Sequence, residues 1–164
     1  LIDLDPELAF VGAILHLPAA TAAEALSLIG EDDLADPHMQ VILRAAGLLV
    51  GEEVDPDLYA VMTIIRAAGM ASTAHGISLL AEVVIEAAES CPVPASWKFY
   101  AAGVLDQAVR RRAIEMADRI TQASGGPLDT LLDLVQGEAT AVTELGRRRA
   151  GIGSAASRLR VVSA

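Results

Sequence analysis

The chain has 164 residues, 53% of them hydrophobic but only 3% aromatic, and a formal net charge of −10. That length supports a real hydrophobic core, and a core built from Ala, Leu, Val and Ile rather than aromatics favours packed helices over sheets. The acidic balance argues against strong direct DNA binding, because a free-standing nucleic-acid binder needs a basic footprint.

No apolar run reaches the roughly 18 to 20 residues that a membrane span requires, since His16 and Pro18 interrupt the best candidate. The N-terminus lacks the basic flank and cleavage site of a signal peptide. A cytoplasmic protein is expected. Charge is divided unevenly along the chain: residues 1–96 hold fifteen acids and two arginines, whereas residues 97–164 hold ten basic residues and seven acids.

The first helix is expected to open at Asp5-Pro6-Glu7, with Asp as N-cap and Pro at the first helical position. Its apolar face would be Leu8, Val11, Gly12 and Leu15. A short helix from about Thr21 to Leu28 follows, with Thr21 and Glu24 at capping-box spacing. The Asp-Pro start recurs at Asp36-Pro37 and at Asp55-Pro56. The former helix would carry Met39, Ile42, Leu43, Ala46 and Leu49 to Gly51, the latter Leu58, Val61, Met62 and Ile65 to Gly69. Residues 70–76 read as loop, and Ile77–Glu89 as a fifth helix. Cys91-Pro92-Val93-Pro94 forms a rigid elbow, because a residue before proline is pushed out of the helical region.

Residues 95–123 make a long amphipathic helix with apolar residues at steps of three and four. Ser124-Gly125-Gly126-Pro127 stops it, and a second helix follows with Leu128, Leu131, Leu132, Val135, Ala139, Val142 and Leu145 on one face. So short a break folds two helices back as an antiparallel hairpin. The organisation expected is all-α: a globule of about five short helices over 1–94, a hairpin over 95–149, and a flexible tail or linker over 150–164.

Catalytic signals are missing. The single lysine, Lys98, is in no phosphate-binding loop. Gly151 and Gly153 form a lone G-x-G with no strand before it. His16, His38 and His75 lie on different segments without metal-ligand spacing. The acids Glu31, Asp32 and Asp33 read as a solvated turn, and Cys91 as an ordinary turn or core cysteine. Neither a cofactor nor a metal is expected, nor catalysis by this chain. The consecutive Arg110, Arg111 and Arg112 fan over about 200° of a helix; phosphate binding, pairing across a dimer seam and simple solvation all remain open for them.

Four blocks in order resemble the N-terminal domain of DnaB-family replicative helicases, as a divergent member. They are DPELAFVGAILHL, EDDLADPHMQVIL, EEVDPDLYAVMTIIRAAG, and HGISLLAEVV followed by CPVPASWKFYAAGVLDQAVRRRAI. Leu34 and Ala35 stand where that family has an aromatic pair, Met39 where it has His, and Ser96 where it commonly has Asn. The resemblance implies a helical globule plus hairpin that forms homodimers, or a trimer of dimers. It also implies docking of the primase C-terminal domain or a helicase loader, with the ATP-dependent motor in a separate domain and residues 150–164 in the place of the linker to it. Within it, Val104, Ala108, Ile114, Leu131, Leu132, Val135 and Val142 are expected to supply the self-association seam, and Arg111 and Arg112 its charged flank. A free-standing regulator lacking the motor, and the helicase-binding domain of primase, are the alternatives of similar build.

Overall fold

In a computed structural model, which describes residues 5–161 and side chains as far as Ile152, the chain is all-α, and no strand occurs among the described residues. It divides into two compact units, Leu1–Val104 and Leu105–Ala164.

The first unit is organised around α1 (Pro6–Ile14). Asp5 caps it, its Oδ1 accepting from the Glu7 N–H at 2.9 Å. From Glu7 to Ile14 every residue except Leu8 is buried. The single apolar face expected for this helix is therefore too narrow. Residues 8–15 contain no polar side chain to turn outward, and a helix apolar all round goes to the centre.

Helix α5 (Ala74–Ser90) crosses α1 where Gly12 leaves no side chain. A Cβ built on Gly12 would stand 2.0 Å from the Ala87 carbonyl oxygen and 2.9 Å from the Cys91 Cβ. Nearby, His16 Nε2 lies 2.9 Å from the Ala88 carbonyl oxygen. Cys91 is half-buried, and that burial raises its thiol pKa above the usual value.

Helix α2 (Ala19–Leu28) and α3 (Pro37–Gly51) complete one side of the globule, joined through a one-turn helix at Glu31–Asp33. Asp36 caps α3 as expected, accepting from the His38 N–H at 2.7 Å. Two other starts are corrected. α2 begins at Ala19, not Thr21, and α4 (Leu58–Ala67) is capped by Asp57, not Asp55. The Asp55 carboxylate instead accepts from the Ala19 N–H at 2.7 Å, so it satisfies the first orphan donor of α2 from 36 residues away. Likewise α5 starts three residues earlier than its periodicity suggests, because Thr73 Oγ1 accepts from the Gly76 N–H.

Glu7 ties α1 to the start of α3. Its carboxylate is buried and accepts from the Ala35 N–H at 2.9 Å with both oxygens. The end of α3 also departs from expectation: after Gly51 it is Glu53 that takes the left-handed conformation, at φ 59°. The Val54 N–H then reaches back to the Leu49 carbonyl at 2.9 Å, closing the helix end.

Helix α6 (Trp97–Ala123) follows a one-turn helix at Pro94–Ser96. Trp97, Tyr100, Ala101 and Val104 are at most 5% exposed, and Lys98 Nζ pairs with Glu24 at 2.7 Å. The first turns of α6 thus belong to the globule, and the boundary falls at Val104/Leu105 rather than at 94/95. The second unit holds the rest of α6 and α7 (Leu128–Val161). The expected tail is helical as far as Val161; residues 162–164 lie outside the described range. Small residues there hid a continuing stripe at steps of three and four through Val142, Leu145, Arg149 and the buried Ile152.

Two substitutions test this packing. Gly12→Ala drives a methyl into a backbone oxygen that cannot rotate away, and is expected to cost about 1–3 kcal/mol, read from the urea midpoint. Glu53→Gly relieves a left-handed non-glycine residue and is expected to stabilise by about 1 kcal/mol in the same assay.

Candidate functional site

The two-helix unit leaves Ile114, Leu128 and Leu132 in solvent together with a dense set of charges, while other large apolar side chains, Tyr59 and Phe99 among them, stand exposed on the first unit. Its turn is short: the Gly126 N–H donates to the Ala123 carbonyl at 3.0 Å, and the Leu131 N–H to the Pro127 carbonyl at 3.1 Å. Ion pairs between the helices fix an antiparallel register. Arg149 holds Asp106 through two bonds, Nε–Oδ1 at 2.7 Å and Nη2–Oδ2 at 3.1 Å. Nearer the turn, Glu138 receives Arg119 Nη1 at 2.6 Å on Oε1, while Arg112 Nη2 lies 3.0 Å from Oε2. Glu115 flanks both arginines, 3.4 Å from Arg112 and 3.6 Å from Arg119.

Glu138 is the one buried acid described in this unit, at 6% exposure. Its Oε2 has an ion-pair neighbour in Arg112 but no hydrogen bond of good geometry. Arg119 holds the stronger contact, and the Glu138 carboxylate raises its pKa by that hydrogen bond first and by charge second. On the outer surface of α7, Arg147 bonds Glu144 at 2.7 Å and holds that carboxyl below the usual range.

The expected seam residues separate into three groups. Val104 is fully buried within the globule and Ala108 is 3% exposed, so neither offers surface to a second chain. This corrects their assignment: the apolar stripe of α6 is continuous in sequence, but its first half is already covered. Leu131, Val135 and Val142 are half-buried. Ile114 and Leu132 stand 65% and 56% exposed, joined by Leu128 at 67%. Ile114 lies two residues, about 200°, round α6 from Arg112, so it faces away from the Glu138 network. Of the charged flank, Arg112 is engaged by Glu138 and Glu115, and Arg111 is half-buried.

Glu138 and Leu128 were not singled out as site residues from sequence. Glu138 had a signal: an acid at a helix-stripe position between Val135 and Val142, on the helix paired with the one that carries the arginine run. Elsewhere, His38 Nδ1 lies 3.1 Å from Asp36 Oδ1. Among the described residues no group of three or more His, Cys, Asp or Glu side chains could hold a metal ion, and no described helix is long and apolar enough to cross a membrane.

No family model matches the sequence. The N-terminal domain of DnaB helicase from Mycobacterium tuberculosis superposes with a TM-score of 0.70 over 85% of this chain and 96% of that one, at 24% identity. The chain has the fold of a DnaB N-terminal domain. A curated relative, the replicative DNA helicase DnaC of Bacillus subtilis (strain 168), is 27% identical over 148 residues, which is 90% of this chain. The chain spans 31% of that relative's length.

The ion network gives a test of which charges hold the hairpin. Glu138→Ala removes the buried carboxylate that bridges α6 and α7, leaving Arg112 and Arg119 only Glu115, and is expected to cost about 1–3 kcal/mol, seen as a lower midpoint in a circular dichroism melt. Glu144→Ala, whose partner Arg147 is 75% exposed, is expected to leave that midpoint unchanged.

Proposed function

We propose that this chain is the N-terminal interaction domain of a replicative DNA helicase, self-associating through its hairpin and receiving primase or a helicase loader. The fold and the match to a replicative helicase along most of the chain support the helicase setting. The observation that carries self-association is the trio Ile114, Leu128 and Leu132, each more than half exposed on the two-helix unit. Scattered surface leucines need no explanation, but in this reading the three large aliphatic side chains left exposed on one two-helix unit are what a second copy covers.

In this reading Ile114, Leu128 and Leu132 form the centre of the seam. Leu131, Val135 and Val142 line its inner margin, and Arg111 borders it. Arg112 acts within the hairpin, keeping the register that presents those residues. Two hairpins meeting this way make a homodimer, and dimers can close further into a trimer of dimers. The domain performs no bond chemistry itself. ATP hydrolysis and strand separation belong to another part of the helicase, in the cytoplasm, and this domain supplies assembly and partner recruitment.

Sedimentation equilibrium tests the seam. Wild-type protein is expected at a multiple of the chain mass, and Leu132→Asp or Ile114→Asp at a lower multiple with unchanged helix content. Both positions are solvent-exposed, so neither change buries a charge in the folded monomer. An unchanged mass for both variants would remove the hairpin from the self-association assignment.

A further inference from the structure

In the outer hairpin the usual burial pattern is inverted. Between Ala108 on α6 and Ile152 on α7, one side chain is buried among the described residues, and it is the acid Glu138. Leu131, Val135, Val142 and Leu145 share with Glu138 a stripe of steps of three and four along α7, yet they are only half-buried. Leu132 is exposed outright. An aliphatic side chain gains by leaving water and a carboxylate loses, so packing alone would give the opposite arrangement. Nor is Glu138 fully satisfied, since its Oε2 makes no hydrogen bond of good geometry.

The cause is on α6. Arg112, Glu115 and Arg119 recur there at steps of three and four, and both arginines reach Glu138. Two guanidinium groups facing α7 need an acid, which leucine and valine cannot supply. Of the other acids on α7, Glu144 is held by Arg147 of its own helix, and Asp129 and Asp133 are exposed. Turning Glu138 toward α6 fixes the rotation of α7 about its own axis. At 100° per residue, Leu132 then stands about 120° round the helix from Glu138. A polar group at such a seam position specifies how helices pair, and it lowers stability relative to an apolar seam.

We propose that Glu138, with Arg112 and Arg119, is a rotational lock on α7. It keeps that helix from turning its aliphatic side chains onto α6, and so keeps them available to a second copy. The inference rests on the self-association reading above and adds the residues that hold the face open. Without the lock, α7 rotates to bring Leu132 toward α6. The single chain becomes more stable and less able to assemble, so stability and assembly are opposed at this network.

A fourfold variant, Arg112→Leu, Glu115→Gln, Arg119→Leu and Glu138→Leu, removes the lock and leaves an apolar seam. Its melting midpoint, read by circular dichroism on dilute protein, is expected above wild type. Its self-association, read by sedimentation equilibrium, is expected to be at least tenfold weaker. A labelling rate reads the rotation itself: with Cys91→Ser and Leu132→Cys in both backgrounds, maleimide is expected to react at least threefold more slowly in the fourfold variant, at dilutions where the chain is monomeric. Self-association as tight as wild type, or equal labelling at position 132, overturns the lock and leaves the self-association reading standing. A lower melting midpoint, outright loss of helix included, also overturns it, because the network is then a source of stability. Wild-type protein that stays monomeric at every concentration overturns the lock and that reading together.

Discussion

Helix backbone touches helix backbone at Gly12, and the globule depends on that contact. With the Ala87 carbonyl oxygen only 2.0 Å from where a Cβ would be, no side chain fits between α1 and α5 at this point. Such an approach leaves no room for adjustment by rotamer, so it sets where α1 lies and thereby where everything resting on α1 lies. α3 and the Pro94–Ser96 turn pack on the same helix. Glu7, the second residue of that helix, grips the Ala35 amide and so positions the entrance to α3. The close crossing places α1, Glu7 places the start of α3, and Arg44 holds Glu31 and with it the one-turn helix against α3.

The hairpin is built on a different principle. Its helices are registered by ion pairs at two levels, Asp106 with Arg149 and Glu138 with Arg112 and Arg119. Buried charges are poor sources of stability but good sources of register, because a sliding helix would strand Glu138 without a cation. Aliphatic side chains are thereby released from holding the two helices together and stand in solvent at Ile114, Leu128 and Leu132. A unit that spends charge on its own alignment and keeps its leucines for the outside is suited to assembly.

Much of this was legible in the sequence, and the failures share a cause. Local signals were reliable where the answer is local: Asp5 and Asp36 cap the helices that they precede, and Ser124–Pro127 ends α6. The all-α class and the order of globule then hairpin followed from periodicity. Signals failed where a residue acts at a distance. Asp55 has the same Asp-Pro signature as its counterparts yet caps α2, because its loop passes the Ala19 amide. Val104 has the spacing of a hairpin residue yet is claimed by the globule. Glu53 adopts the conformation expected of glycine, since the return bond from Val54 fixes it. Beyond Arg149 the small residues concealed a helix that continues to Val161.

The crossing that organises the globule also carries its own chemical reporter. Cys91 is the chain's one cysteine, its Cβ set against Gly12, and burial holds its thiol above the usual pKa. A thiol in that position is sluggish toward alkylation while α1 and α5 stay together, and becomes an ordinary, faster nucleophile when they part. The rate at which a maleimide attaches to the native protein is therefore expected to rise when this contact loosens, above the baseline set by the half-buried thiol. Because the chain has one cysteine, a change in that rate reports on this crossing alone.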